Sequence, residues 1–134
     1  MPHISAEIEI WKPVAECEGF EVSSCGRVRS IDRHVLCGGG PKQRAHVRHY
    51  KGKLLRLSRA SHGYQNISLP NGKYLVHRLV LSAFVGPCPK GCEGLHDDDK
   101  RTNNRLSNLR WGTRAENIED AFRNGGRKRK GLNL

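Results

Sequence analysis

Sixty consecutive residues, 33–92, contain no Asp or Glu, although eleven Lys and Arg fall among them. A surface kept only for solubility mixes its signs, so this imbalance points to a polyanionic partner. Residues 1–32 carry three basic and six acidic side chains, and residues 93–134 carry ten and seven, so the overall charge of +11 is concentrated in the middle. Other absences narrow the field. No apolar run approaches the roughly 18 residues needed to span a bilayer, and the N-terminus has no secretory pattern, so a cytoplasmic protein without a membrane partner is expected. Five cysteines, an odd number, argue against a disulfide framework. Cys88-x-x-x-Cys92 could be half of a zinc site, with His77 or His96, but no second pair stands at ligand spacing. Asp97-Asp98-Asp99 would open a calcium loop, yet its sixth position is Thr102 and its twelfth Asn108, where an EF-hand needs Gly and Glu.

What is present is organised around residues 94–117, GLHDDDKRTNNRLSNLRWGTRAEN. Thr113 and Glu116 form a capping box, and Ala115, Ile118, Ala121 and Phe122 follow at helical spacing. The spacing predicts a helix over about 114–124, with Gly125 and Gly126 as its stop. Leu109-Arg110-Trp111 reads as a short strand, Asn103-Asn104 as the turn before it, and Gly94-Leu95-His96 as the opposing strand end.

These residues resemble the HNH endonucleases, or ββα-metal nucleases, of the phage and homing type. The resemblance lies in His96, in Asn108 twelve residues on, in Asn117 nine further, and in the run NN-R-L-S-N-L-R-W-G-T-x-x-E-N. It implies that His96 is the general base that activates water, that Asn108 braces the loop, and that Asn117 ligates a divalent metal, Mg2+ or Mn2+. The chemistry is coherent on its own terms. Imidazole titrates near neutrality, and an amide oxygen suits a hard cation where a thiolate would favour zinc. Many relatives carry Asp or His just before the base as a second ligand. Here that position is Leu95, so Asp97 or Asp98 is the alternative donor, or Asn117 acts with phosphate and waters alone.

Upstream, W-K-P, G-F-E-V-S and G-R-V-R-S within 9–31 resemble the NUMOD-class DNA-binding module that precedes HNH domains in phage- and intron-encoded nucleases. Trp11, Phe20, Val22, Val28 and Ile31 are the expected core of its strands, Gly26 the turn, and Arg27 and Arg29 the groove-facing residues. Residues 33–52 have little apolar periodicity and read as a flexible basic loop carrying Arg44, Arg48 and Lys51. Strands are expected at Lys53–Leu57, Tyr64–Leu69 and Lys73–Val76, the last two joined at Asn71-Gly72. Val76, Leu79, Val80, Ala83 and Phe84 form an amphipathic helix ending before Gly86-Pro87. His77 lies off that stripe and reads as structural or DNA-contacting.

The sequence thus predicts an α+β protein: a small antiparallel β-sheet N-terminal region followed by a ββα-metal motif. Its segments would be a NUMOD-like module (1–32), a basic linker and hairpin (33–73), the nuclease domain (74–124) and a basic tail (125–134). The expected function is metal-dependent hydrolysis of phosphodiester bonds in duplex DNA, by nicking or double-strand cutting according to whether the chain is monomeric or dimeric. Arg78, Arg105 and Arg110 are candidates to stabilise developing charge, and Arg78 and Arg105 to contact DNA. The rival reading is a non-catalytic DNA-binding protein on a degenerate scaffold.

Overall fold

A computed structural model describes residues 8–123; the basic tail and the final residue of the expected second helix lie outside them. The architecture grows around one helix. The apolar stripe of α1 (Val76–Phe84) has Val76, Leu79, Val80 and Leu81 buried. Its neighbours are strands from both halves of the chain. Each such side chain removed from water contributes about 1.5–3 kcal/mol, so this small helix holds much of the fold together.

Three short strands precede it in the N-terminal sheet: β1 (Trp11–Pro13), β2 (Phe20–Ser23) and β3 (Val28–Ser30), in order β1-β2-β3. Val22 and Val28 face each other in register and are fully buried. Val14 and Cys17 join the same core as the helix. Ile31, expected in that core, is 40% exposed, because the buried alternation ends with Ser30 and the chain turns away into the next hairpin.

Residues 33–50, expected as a flexible loop, form a hairpin instead. Strands β4 (Arg33–Cys37) and β5 (His46–Tyr50) pair antiparallel over five residues each, with Gly38 and Gly39 at positive φ after the first strand. Every residue of the pair except Cys37 is exposed. A ribbon exposed on both faces among the described residues has no buried side, and so no hydrophobic alternation to betray it. Lys53–Leu57, expected as a strand, makes only one bridge, Leu54 to Arg29, supported by Leu55 N–H donating to the Val28 carbonyl at 2.9 Å.

A second sheet follows, β6 (Ser58–Arg59), β7 (Gln65–Leu69) and β8 (Gly72–Leu75) in that order. The β7–β8 hairpin turns at Pro70-Asn71, one residue earlier than the expected Asn71-Gly72, because Gly72 already pairs with Leu69 as the first residue of β8. Finally β9 (Glu93–His96) pairs antiparallel with β10 (Leu109–Gly112), and α2 (Arg114–Arg123) follows at once. Thr113 Oγ1 accepts from the Glu116 N–H at 3.2 Å, the cap its sequence announced.

The N-terminal sheet is docked on this last unit. The Leu106 N–H donates to the Ser24 carbonyl at 2.8 Å. At Gly26, φ is +86°, and a Cβ would stand 2.7 Å from the Asn104 Cβ, so only glycine fits the contact. Ser82 Oγ also meets Glu16 Oε1 at 2.6 Å, joining α1 to the first sheet.

Candidate nuclease site

The β9–β10 ladder decides which side chains meet. His96 pairs with Leu109, Leu95 with Arg110, Gly94 with Trp111 and Glu93 with Gly112. Alternation along a strand puts Glu93 and Leu95 on one face and Gly94 and His96 on the other. Leu95 is 1% exposed and packs towards Gly112, so the position before His96 serves the interior.

His96 is 6% exposed. Its Nε2 lies 2.9 Å from Asn104 Oδ1, and Asn104 Nδ2 donates to Gln65 Oε1 at 2.8 Å. With the amide N–H committed to Gln65, Oδ1 must accept, so Nε2 carries the proton and Nδ1 is the basic nitrogen. Burial pushes the His96 pKa below its ordinary value, against the Asn104 hydrogen bond and the charge of Asp98, so the ring is neutral at pH 7. Tyr64 and His77 complete an aromatic cluster, with the His77 and His96 ring centroids 4.9 Å apart and Tyr64 stacked 5.2 Å from His77. His77 is pushed down to about 3 by burial first, then by His96 and Arg78, and its Nδ1 is buried without a hydrogen-bond partner among the described residues.

The loop between the two strands is fastened by Asn108. Its Nδ2 donates to Asp98 Oδ1 and to the Asn103 carbonyl, both at 2.9 Å, while its Oδ1 accepts from the Asp98 N–H at 3.1 Å. Burial raises the Asp98 carboxyl, but hydrogen bonds from Asn103, the Lys100 N–H and Asn108 outweigh it and hold the group below its usual value. Asp98 is therefore spent inside the loop, and Asp97 is ion-paired with Arg110. The two acids that the sequence offered as alternative metal donors already have partners.

Asn117, on the second turn of α2, lines an open cavity of about 300 Å3 with His77, Arg78, Glu93, Gly94 and Arg114. Its Nδ2 donates to Glu93 Oε1 at 3.1 Å. His96 is not among the residues lining this cavity, but its ring lies against that of His77, which is. The donors facing the cavity, a carboxylate and a carboxamide, are hard oxygen ligands of the kind that suit Mg2+ or Mn2+. No cluster of three or more His, Cys, Asp or Glu at metal-binding distance occurs among the described residues, so the fit is to a sparse oxygen site completed by phosphate and water. Cys88 Sγ meets the Cys92 carbonyl at 3.0 Å.

The other named cations are spread over the surface. Arg27 is paired with Glu9 and Arg29 with Glu21, and both guanidinium groups lie over the Trp11 ring, Arg29 at 4.0 Å. Arg44, Arg48 and Lys51 are exposed on or beside the β4–β5 hairpin, and Arg105 is exposed near the Asn108 turn. Glu93, Arg114, Asn104 and Gln65 were not read as site residues from sequence, Asn104 being taken only as part of a turn. Glu93 was within reach, because extending the expected strand pairing by one residue sets it opposite Gly112, at the helix start.

A buried, neutral histidine at the end of a β-hairpin, followed directly by a capped helix bearing Asn117, makes this a ββα unit of the metal-nuclease class. Residues 74–118 match the model of the HNH endonuclease family and residues 9–70 that of the NUMOD4 motif. The C-terminal part of the chain is thus similar to the HNH endonucleases, and the part before it to the NUMOD4 motif. The chain is 31% identical over 120 residues to DNA endonuclease I-HmuI of Bacillus phage SP01, covering 86% of this chain and 59% of that protein. It is 39% identical over 69 residues to the SPbeta prophage-derived YosQ of Bacillus subtilis (strain 168), whose name places it among HNH homing endonucleases, covering 48% of this chain and 40% of that one. The solved structure of I-HmuI, described as showing DNA binding and cleavage, aligns with a TM-score of 0.64 at 29% identity, over 90% of this chain and 62% of that one. The chain thus spans about three-fifths or less of each relative's length. No described helix is long and apolar enough to cross a membrane.

Proposed function

We propose that this protein is a metal-dependent DNA endonuclease that hydrolyses phosphodiester bonds with His96 as general base. The observation that carries the reading is the state of His96: buried, neutral, and fixed by Asn104 so that Nδ1 is the proton acceptor. Nδ1 removes a proton from water as the water attacks phosphorus, a step that such bases accelerate about 10²–10⁴-fold. His77 cannot take that role well, because a group with a pKa of about 3 is a feeble base at neutrality. Asn108 holds the loop behind His96 and acts by positioning. Asn117 would hold Mg2+ or Mn2+, which when bound supplies charge neutralisation at the phosphate and the leaving oxygen. Arg78 and Arg114 stand on the wall of the same cavity, placed to pair with the phosphate oxygens. Arg110, committed to Asp97, is less suited.

Duplex DNA is the proposed substrate. The exposed β4–β5 ribbon, with Arg44, Arg48 and Lys51 beside it, has the width of element that the major groove admits, and its cations would grip phosphates. Arg27, Arg29, Arg78 and Arg105 are further proposed DNA contacts, the first two by exchanging their carboxylates for phosphate.

The test is cleavage of supercoiled plasmid with Mg2+ or Mn2+. His96→Ala is expected to lose at least about 10²-fold in rate while still shifting DNA in a gel, and EDTA to stop the wild type. Equal rates for His96→Ala and wild type would refute the assignment. The second reading, a non-catalytic DNA-binding protein, is favoured by Leu95 alone, and would show as binding without cleavage under every divalent metal tried.

A further inference from the structure

We propose that Glu93 supplies the acidic ligand of the divalent-cation site, acting with Asn117 across the cavity between β9 and α2. The inference rests on the reading of Asn117 as a metal ligand and adds a residue to it. Three observations converge. Glu93 and Asn117 line the same open cavity, with the carboxylate oxygen 3.1 Å from the amide nitrogen. The ladder places Glu93 opposite Gly112, one residue before the Thr113 cap, so the carboxylate stands beside the start of the helix that presents Asn117. The same ladder places Leu95 on the Glu93 face but turns it into the interior, 1% exposed. The acids of the following loop are engaged elsewhere, Asp98 with Asn103 and Asn108, Asp97 with Arg110. Among the described residues lining the cavity, Glu93 is the one that carries a carboxylate.

The amide N–H of Asn117 donates to the carboxylate at 3.1 Å. A half-turn of the carboxamide exchanges Nδ2 for Oδ1, and the two oxygens then face one point in space. A neutral amide alone is a weak anchor for a divalent ion, whereas one carboxylate with an amide and waters is a usual minimal set for Mg2+. Arg78 and Arg114 on the rim leave the site with positive charge to spare, which suits a third, anionic oxygen from phosphate.

The experiment is Mn2+ binding to the full chain, followed by the free-ion EPR signal in the absence of DNA, for wild type, Glu93→Gln, Asn117→Ala and His96→Ala. Glu93→Gln keeps the shape of the side chain and removes its charge, and its melting in EDTA is expected to match wild type. The inference expects Glu93→Gln to weaken Mn2+ binding at least tenfold and His96→Ala to leave it unchanged. If Asn117→Ala loses Mn2+ while Glu93→Gln binds like wild type, Glu93 is not a ligand and the reading of Asn117 stands. If Glu93→Gln loses Mn2+ and Asn117→Ala does not, Glu93 stands and the reading of Asn117 falls. If neither loses it, both fall. A second measurement needs no variant: on adding substoichiometric Mn2+ to 15N-labelled protein, the Asn117 side-chain amide and the Glu93 backbone amide should broaden first. Selective broadening elsewhere, with these two sharp, overturns the proposal.

Discussion

Lowering the pH from 7 to 5 should destabilise this protein through His77 alone by about 2 kcal/mol. The ring is 4% exposed, packed between Tyr64 and His96, with Nδ1 unpartnered among the described residues, and its pKa falls from 6.5 to about 3. In the unfolded chain the same imidazole keeps its ordinary value. Below pH 6.5 the unfolded state therefore takes up a proton that the folded state refuses, and stability declines as pH falls. The decline proceeds at about 1.4 kcal/mol per pH unit, begins near 6.5 and stops near 3. Above pH 7 this group adds nothing. His96, also lowered by burial, pulls in the same direction. Stopping at pH 5 keeps Glu9, whose pairing with Arg27 lowers it to about 2, and Asp98 largely out of the comparison. Against a typical total stability of about 5–15 kcal/mol, the loss is easily measured. Urea unfolding of wild type and His77→Gln, followed by circular dichroism at both pH values, isolates the contribution. The wild type should lose about 2 kcal/mol more than the variant between the two conditions. Equal losses in both proteins would show that His77 is not held neutral by burial.

Two further substitutions probe the same structure. Gly94→Ala sets a methyl 2.5 Å from His77 Cδ2 and 2.9 Å from its Nε2; with that ring enclosed, urea titration should show a loss of about 1–3 kcal/mol. Replacing Arg44, Arg48 and Lys51 together by Ala should leave melting unchanged, since all three are exposed. It should flatten the dependence of log affinity for duplex DNA on log salt by up to about three units, at near one per lost phosphate contact; an unchanged slope would remove the hairpin from the DNA-binding surface.

Much of this architecture could be read from the chain alone, and the reasons differ from element to element. Helix α1 was legible because Val76, Leu79, Val80, Ala83 and Phe84 mark one face whose burial the fold requires. The β7–β8 hairpin was legible to within one residue because Pro70, Asn71 and Gly72 are local turn chemistry, and the start of α2 because Thr113 and Glu116 are three residues apart. The β4–β5 ribbon was illegible because no described residue covers it, so Val35, Leu36 and Val47 stay exposed and leave no pattern. Leu54, Leu55 and Leu57 suggested a strand, but apolar content does not say how many ladder bonds a segment will find. At the site, the pairing of β9 with β10 followed from short-range pattern, whereas the Gln65–Asn104–His96 chain joins residues 39 positions apart and depends on how two separate sheets meet. Glu93 fell between these cases: its place was implied by register, and its meeting with Asn117 needed the helix axis.

The contact at Gly26 bears on how the proposed nuclease would choose where to cut. The turn of the first sheet is seated against Asn104, the residue that also holds the His96 ring. The two ends of the molecule are thus clamped like the jaws of a locked caliper. A base pair gripped by one jaw would dictate, at a constant number of steps along the duplex, which bond lies under the other.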